Sequence, residues 1–377
     1  MTTHALYSPY QLGQLTLNNR CVMAPLTRNR ANNNREPVDI NVIYYEQRAS
    51  AGLIIAEATQ ICPEGQGYIS TPGIYSEGQI EGWKKVTNAV HKKNGKICLQ
   101  LWHVGRISDP ELLDGDIPVA PSAIQPAGEV SLLRPKRPYV KPRALSIEEI
   151  KEVVAQYKHS AELAKAAGFD GVELHAANGY LIDQFLQSNT NQRDDEYGGP
   201  VENRARLLLE VVDAFIEVWG AGRVGVHIAP RGDSHDMGDE NPLATFGYVV
   251  EELNQRNVAF IFSREYEAAD SISPKLREKF NGVWIANENL TPESAKRILR
   301  EGQADAVSFG KAFVRKVIER NKINKLIIYS RDELKQFEFS NEISNPKLRF
   351  FLGDVRDYDR LVMASKDVDV VIHAAAM

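Results

Sequence analysis

No stretch of this chain comes near the ~18 consecutive apolar residues that a membrane-crossing helix needs. Its first nine residues carry neither the basic nor the apolar segment that opens a secretion signal. Membrane spanning and export are therefore not expected, and a cytoplasmic location is. There is no basic surplus either: 45 Lys and Arg stand against 50 Asp and Glu, a formal charge of −5. Nothing in that balance favours neutralising a nucleic-acid backbone or an anionic bilayer. Cysteine is scarce. Cys21, Cys62 and Cys98 are odd in number and lack metal-type spacing, so neither a disulfide framework nor a metal site is expected. Small molecules remain as the expected partners; the sequence does not speak to oligomeric state.

A second scarcity is local. Residues 313–377 number 65, yet they hold only Gly353 of the chain's 26 glycines and only Pro346 of its 18 prolines. Their pattern is helix (311–320), strand (325–330), helix (331–341), strand (349–353), helix (357–365), strand (368–374), a βα-type succession too short for an independent doubly wound domain of ~100–150 residues. The expected domains are 1–312 and 313–377, with 311–320 serving the first as its last helix because Phe313, Val314, Val317 and Ile318 share one helical face.

What residues 1–312 do contain is eight short apolar runs rich in β-formers, at 21–25, 53–58, 96–102, 171–175, 223–229, 258–263, 282–287 and 304–309. Each is followed by helical periodicity or helix-start chemistry. Ser146 with Glu149 makes a capping box before 146–168, where Gly168 stops the helix. Thr291-Pro292-Glu293 and the stretch 200–219 open others. Near-continuous apolar strands alternating with helices predict a (β/α)8 TIM barrel, whose site lies at the C-terminal strand ends. Residues 4–20, with Gly13 at a turn, read as a hairpin closing the bottom. The proline-rich loop 103–143 reads as a cover over the mouth. The fold class is thus an α/β TIM barrel followed by a truncated Rossmann-like βα segment.

Polar groups cluster at the strand ends. His175-Ala-Ala-Asn178-Gly-Tyr180 follows the fourth strand, where an imidazole, an amide and a phenol can grip a carbonyl or nitro oxygen and donate a proton. The same residues could instead cap and pack the next helix. Ala24-Pro25-Leu26-Thr27-Arg28, Glu57-Ala58-Thr59-Gln60 and Gln100-Leu-Trp102-His103 end the first three strands. Gln100 suits the edge of a flat heterocycle, while Trp102 and Tyr68 read as rim aromatics.

These segments, with Gly67-Tyr68, Asp195-Glu-Tyr-Gly-Gly-Pro200-Val-Glu-Asn-Arg204 and Ser308-Phe-Gly310-Lys311, resemble the old yellow enzyme family of FMN-dependent ene-reductases over residues 1–312. The resemblance implies FMN across the barrel mouth and NADPH or NADH as hydride donor. Pro25, Leu26, Thr27, Ala58 and Gln100 would then contact the isoalloxazine, with Thr27 tuning its potential. Asn287, Gly310 and Lys311 would serve the phosphate. The resemblance further implies His175 and Asn178 on the substrate oxygen, Tyr180 as proton donor, and Tyr68 and Trp102 as pocket walls. Substrates would be enones, enals, maleimides or nitroalkenes.

Three departures stand out. His227 occupies the position where that family usually carries the arginine that supports the flavin's negative charge, with Arg231 or Arg264 as replacement cations. Lys311 stands where arginine is frequent. The family's usual tail is replaced after Phe313. Residues 308–377 instead resemble a fragment of the nucleotide-sugar 4,6-dehydratase/5-epimerases of the extended short-chain dehydrogenase group, through Lys325-Leu-Ile-Ile-Tyr-Ser330-Arg331 and Phe350-Phe-Leu-Gly-Asp354-Val355. The fragment lacks the glycine-rich phosphate turn. The leading expectation is an ene-reductase barrel in a chimeric chain; the alternative is a catalytically impaired scaffold that binds FMN weakly.

Overall fold

A computed structural model describes residues 5–310, 326–330 and 348–352. After a short hairpin, β1 (Tyr10–Leu12) paired antiparallel with β2 (Leu15–Leu17), come β3 (Cys21–Met23), β4 (Leu53–Gln60) and β5 (Ile97–Trp102). A parallel pair, β6 (Val119–Ala120) and β7 (Arg143–Ala144), lies within the long loop. Then follow β8 (Gly171–Ala176), β9 (Val224–Ile228), β10 (Phe260–Arg264), β11 (Val283–Asn287) and β12 (Ala306–Phe309). Taken in order, β3, β4, β5 and β8 to β12 form one closed barrel, every adjacent pair parallel, with β12 returning to β3 through Val307↔Cys21. All eight expected strands are present. The first is shorter than expected because Pro25 has no amide to give a ladder.

Helices cover the outside as the caps foretold. Ser146 Oγ accepts from Glu149 N at 3.2 Å while Ser146 N donates to Glu149 Oε2 at 2.8 Å, starting the helix Ile147–Ala166. Gly168, at φ +84°, follows its end. Thr291 caps Pro292–Arg300 in the same way. The stretch expected as a single helix from Pro200 divides into Val201–Arg204 and Arg206–Trp219, although Ala205 N still reaches Val201 O at 2.9 Å.

The barrel bottom is sealed by the hairpin. Gly13 turns at φ +53°, and a Cβ there would lie 2.3 Å from Gly222 O and 2.7 Å from Ala259 Cβ. Above it Leu12, Leu15, Leu17, Val22, Leu53, Cys98, Phe260 and Val283 make a buried apolar plug. Gly225 is needed in that layer, because a Cβ there would sit 2.1 Å from the Phe260 ring. At the other end, the long loop does lie over the mouth: Val130, Leu133 and Tyr139 are buried in one cluster with Ala58, Trp102 and Tyr180. Val130 N bonds to Arg137 O, and Arg137 grips Asp109 with two donors.

The chain divides into two compact units, Met1–Gly310 and Lys311–Met377. Within the second, β13 (Leu326–Ser330) and β14 (Leu348–Leu352) pair in parallel along their full length, as a βα succession requires. The expected helix 311–320, the strand 368–374 and the residue Lys311 lie outside the described residues. No described helix is long and apolar enough to cross a membrane.

Candidate active site

Side chains alternate across a strand, so each barrel strand sends every second residue inward. The series run Cys98, Gln100, Trp102 on β5; Glu173, His175 on β8; His227 on β9; Phe260, Phe262, Arg264 on β10; Val283, Ile285, Asn287 on β11; and Ala306, Ser308 on β12. Reading upward, apolar residues give way to polar ones. In the middle layer Gln100 Nε2 stands 2.6 Å from Glu173 Oε2 and 2.9 Å from His227 Nδ1. An amide nitrogen can only donate, so His227 carries its proton on Nε2. Burial first, then the neighbouring His175 and Arg264, hold His227 neutral. Burial pushes Glu173 up to about 8 against the bond from Gln100.

The upper layer is the turn after β8. His175 is buried and stacks between Trp102 (centroids 5.9 Å, 20°) and His227 (5.0 Å, 22°), with Tyr180 edge-on at 5.0 Å. Burial, aided by the charge of Arg264 and by His235, drives its pKa down to about 3, leaving a neutral imidazole. Tyr180 OH is 2.9 Å from Tyr68 OH, and Tyr68 stacks on Trp102 at 5.8 Å and 8°. Burial holds both phenols protonated well above the ordinary tyrosine range. Asn178 takes the left-handed conformation at φ +59°, which asparagine tolerates. Its backbone O bonds His235 Nδ1 and its Oδ1 accepts from Arg264 Nη1 at 2.6 Å. The structure therefore brings His175, Asn178, Tyr180, Tyr68 and Trp102 together. Trp102 is 1% exposed, an inner wall instead of a rim residue.

Several expectations need correction. Glu57 turns away from the mouth: its carboxylate takes Arg28 N at 2.9 Å, Tyr45 OH at 3.1 Å and Asn41 Nδ2 at 3.3 Å, fastening the strand to the helix Asp39–Glu46. It thereby anchors the segment carrying Thr27. His103 likewise folds back, its Nδ1 accepting from Gly105 N. Arg231 is no replacement cation, being paired with Glu265 and Asp270. Arg264 does reach the mouth, but through Asn178 and Glu288. Glu173, Glu288 and His235 belong to none of the motifs that mark the site in the sequence. The inward alternation on β8 and β10 flags Glu173 and Arg264; nothing local flags the other two.

The donor set suits a flat heteroaromatic group. His175 Nδ1, His227 Nε2, Trp102 Nε1 and Ser308 Oγ are buried polar atoms without a partner among the described residues, the orphan hydrogen-bonding capacity that a ligand would satisfy. Pro25, Leu26 and Thr27 stay partly exposed at the rim, whereas Ala58 is buried in the wall. Asn287 Nδ2 approaches Ser308 O at 3.4 Å. A Cβ on Gly310 would lie 3.2 Å from Leu26 Cδ2, so backbone and side chain meet closely there. No group of three or more metal-ligating side chains occurs among the described residues.

Comparison with known proteins agrees with this geometry. Residues 5–343 match the model of the NADH:flavin oxidoreductase / NADH oxidase family, running past the boundary expected at residue 312. The chain is 40% identical over 322 residues to 12-oxophytodienoate reductase 1 of Oryza sativa subsp. japonica, covering 82% of this chain and 83% of that one. It is 43% identical over 317 residues to a probable flavin mononucleotide-dependent alkene reductase of Leishmania infantum, covering 81% and 86%. Among solved structures, an asparagine-to-alanine mutant of morphinone reductase in complex with tetrahydroNAD superposes with a TM-score of 0.80 at 43% identity, covering 84% of this chain and 91% of the other. The old yellow enzyme homologue from Zymomonas mobilis superposes with a TM-score of 0.81 at 41% identity, covering 85% and 94%.

Proposed function

Because this chain belongs to the NADH:flavin oxidoreductase / NADH oxidase family, the old yellow enzymes, and is an FMN-dependent, NAD(P)H-driven alkene reductase, we propose that His175 and Asn178 hold the electron-withdrawing oxygen of its substrate while Tyr180 supplies the proton. The observation that carries this reading is the buried cluster of a neutral imidazole, an amide and two hydrogen-bonded phenols at one strand end. When bound, FMN reduced by the nicotinamide nucleotide supplies hydride to the β-carbon. Neutral His175 and the Asn178 amide donate hydrogen bonds to the oxygen, drawing charge from the double bond. Tyr180 delivers its phenolic proton to the α-carbon, and hydride plus proton balance the reduced bond. Tyr68, 2.9 Å away, orients that phenol and supports its phenolate. Trp102 packs against both, face to face with Tyr68 and edge-on to Tyr180.

On the cofactor side, Pro25, Leu26, Thr27, Ala58 and Gln100 would face the isoalloxazine. His227, donating through Nε2, would meet its pyrimidine edge as a neutral donor where an arginine would be a cation. Asn287, Gly310 and Lys311 would hold the phosphate. The substrates proposed are enones, enals, maleimides and nitroalkenes, with NADPH or NADH as donor and a cytoplasmic setting. Residues 313–377 are read as a Rossmann-like fragment joined to the barrel at 308–312 in a chimeric chain. The parallel pairing of β13 with β14 supports that reading.

The decisive variant is Tyr180→Phe, assayed by anaerobic stopped flow. Flavin reduction by NAD(P)H should stay within about 2-fold, while reoxidation by an enone slows ~10²-fold or more, the scale of a lost general acid. Equal loss of both half-reactions would remove Tyr180 from the chemistry.

A further inference from the structure

The amide of Asn178 can bind an oxygen only if its nitrogen, not its carbonyl, faces the substrate, and an asparagine side chain has no intrinsic preference between the two. Arg264 settles the choice. A guanidinium has donors and no acceptor, so its 2.6 Å contact identifies the Asn178 atom it meets as Oδ1 and directs Nδ2 the other way. Among the described residues Asn178 Nδ2 donates no hydrogen bond within the chain. Arg264 is in turn fixed from behind, its Nη2 donating to Glu288 Oε1 at 2.9 Å. Glu288 is held in an unusual backbone conformation, φ +96°, immediately after β11, and Asn289 follows at φ +52°. Such a conformation is unfavourable for a residue with a side chain and clusters at functional sites. Asn178 also takes the left-handed conformation, φ +59°, with His235 Nδ1 on its backbone carbonyl. Three strand ends, β8, β10 and β11, are thus joined in one line: Glu288 carboxylate, Arg264 guanidinium, Asn178 amide.

We propose that Arg264 and Glu288 are positioning residues that lock the Asn178 amide with its NH2 toward the bound oxygen, making the site selective for ligands that present an acceptor there. The assignment rests on the reading that His175 and Asn178 form the oxygen-binding site. Burial first, and the same guanidinium after it, lowers the pKa of His175, so Arg264 orients the amide and adds to what keeps the imidazole neutral. Without Arg264 the amide can flip and offer its carbonyl, turning a donor into an acceptor.

That exchange predicts a selectivity change, which loosened packing would not produce. The probes are 4-hydroxybenzaldehyde, which binds as a phenolate acceptor, and 4-aminobenzaldehyde, which presents donors from the same ring; each is titrated into the FMN-loaded protein by flavin absorbance. The native protein should favour the phenol strongly. In Arg264→Met the phenol-to-aniline affinity ratio should collapse ~10-fold or more, the scale of one charge-assisted hydrogen bond. Arg264→Lys, which keeps one donor, should restore most of the ratio, and Glu288→Gln should reduce it ~2- to 5-fold. An unchanged ratio in Arg264→Met, or equal weakening of both ligands, overturns the proposal even if the native protein discriminates as expected. A native protein that binds neither probe, or does not distinguish them, overturns the oxygen-site reading and the proposal with it. If Arg264→Met does not retain FMN, the Glu288→Gln ratio decides by the same criterion.

Discussion

The two ends of the barrel are built from the same alternating positions and differ in what those positions carry. At the bottom, Cys98, Phe260 and Val283 meet the hairpin residues Leu12, Leu15 and Leu17 in an apolar plug. Higher in the barrel stand Gln100 on β5, Glu173 and His175 on β8, His227 on β9 and Arg264 on β10, several with polar atoms unpartnered among the described residues. The lower half shows a core assembled for burial alone. The upper half carries desolvation that its own chain does not relieve, which is stability given up for a ligand.

The two ends differ most in what truncation costs at the plug. Phe260 fills the space left by Gly225, and Phe260→Ala should cost ~3–5 kcal/mol of unfolding free energy, the range for truncating a fully buried aromatic. His175→Ala, in the mouth, should cost far less and abolish ligand binding instead. Urea unfolding of both variants checks the contrast; similar losses would mean that the mouth is as much a structural core as the bottom.

A smaller and pH-dependent effect sharpens it. Glu173 titrates at about 8 when folded, raised by burial from an ordinary 4.5. A raised folded pKa means the protonated form is favoured by folding, so this group's contribution is fully present below pH ~4.5 and is lost as pH climbs through 8. Glu173→Gln removes that dependence while leaving an acceptor for Gln100. Its stability relative to the native protein should therefore improve between pH 5 and pH 9, by on the order of a few kcal/mol at most. Parallel stability-against-pH curves for the two proteins would show that Glu173 titrates normally.

How much of this is legible in the sequence follows from the same contrast. The eight strands, the capping box at Ser146 and the bottom hairpin depend on local periodicity and on turn chemistry, which travel with the residues themselves. So does the His175-Asn178-Tyr180 turn, since all three leave one strand within six residues. Glu57 and His103 misled because a polar residue at a strand end has two faces to choose from, and register shifts on β4 between Ala56 and Thr59 help turn Glu57 outward. The Arg264 and Glu288 contacts were invisible for a different reason. They join residues 86 and 24 positions apart, and only closure of the barrel makes them neighbours.

The smallest expected effect separates Tyr68 from Tyr180. The two hydroxyls share one hydrogen bond, and both phenols are held protonated by burial, yet only Tyr180 is proposed to lose its proton to the substrate. As that proton leaves, a phenolate forms in a desolvated site and the Tyr68 hydroxyl is the donor in place to stabilise it. Tyr68→Phe should therefore slow alkene reduction by the worth of one hydrogen bond to a developing charge, ~1.5–2 kcal/mol or roughly 10- to 30-fold, less than the loss in Tyr180→Phe. Flavin reduction by NAD(P)H should be nearly unchanged. Since burial keeps Tyr180 protonated and His175 neutral across the usual range, the alkene half-reaction of the native protein should be flat from pH 5 up to the range near 8 where Glu173 titrates. In Tyr68→Phe the phenolate of Tyr180 loses its stabilising donor, which raises the Tyr180 pKa further, so the profile should remain flat at a lower plateau. A Tyr68→Phe rate as low as that of Tyr180→Phe would make the pair a relay in which the proton originates at Tyr68, and a sloping profile would place a titrating group between them and solvent.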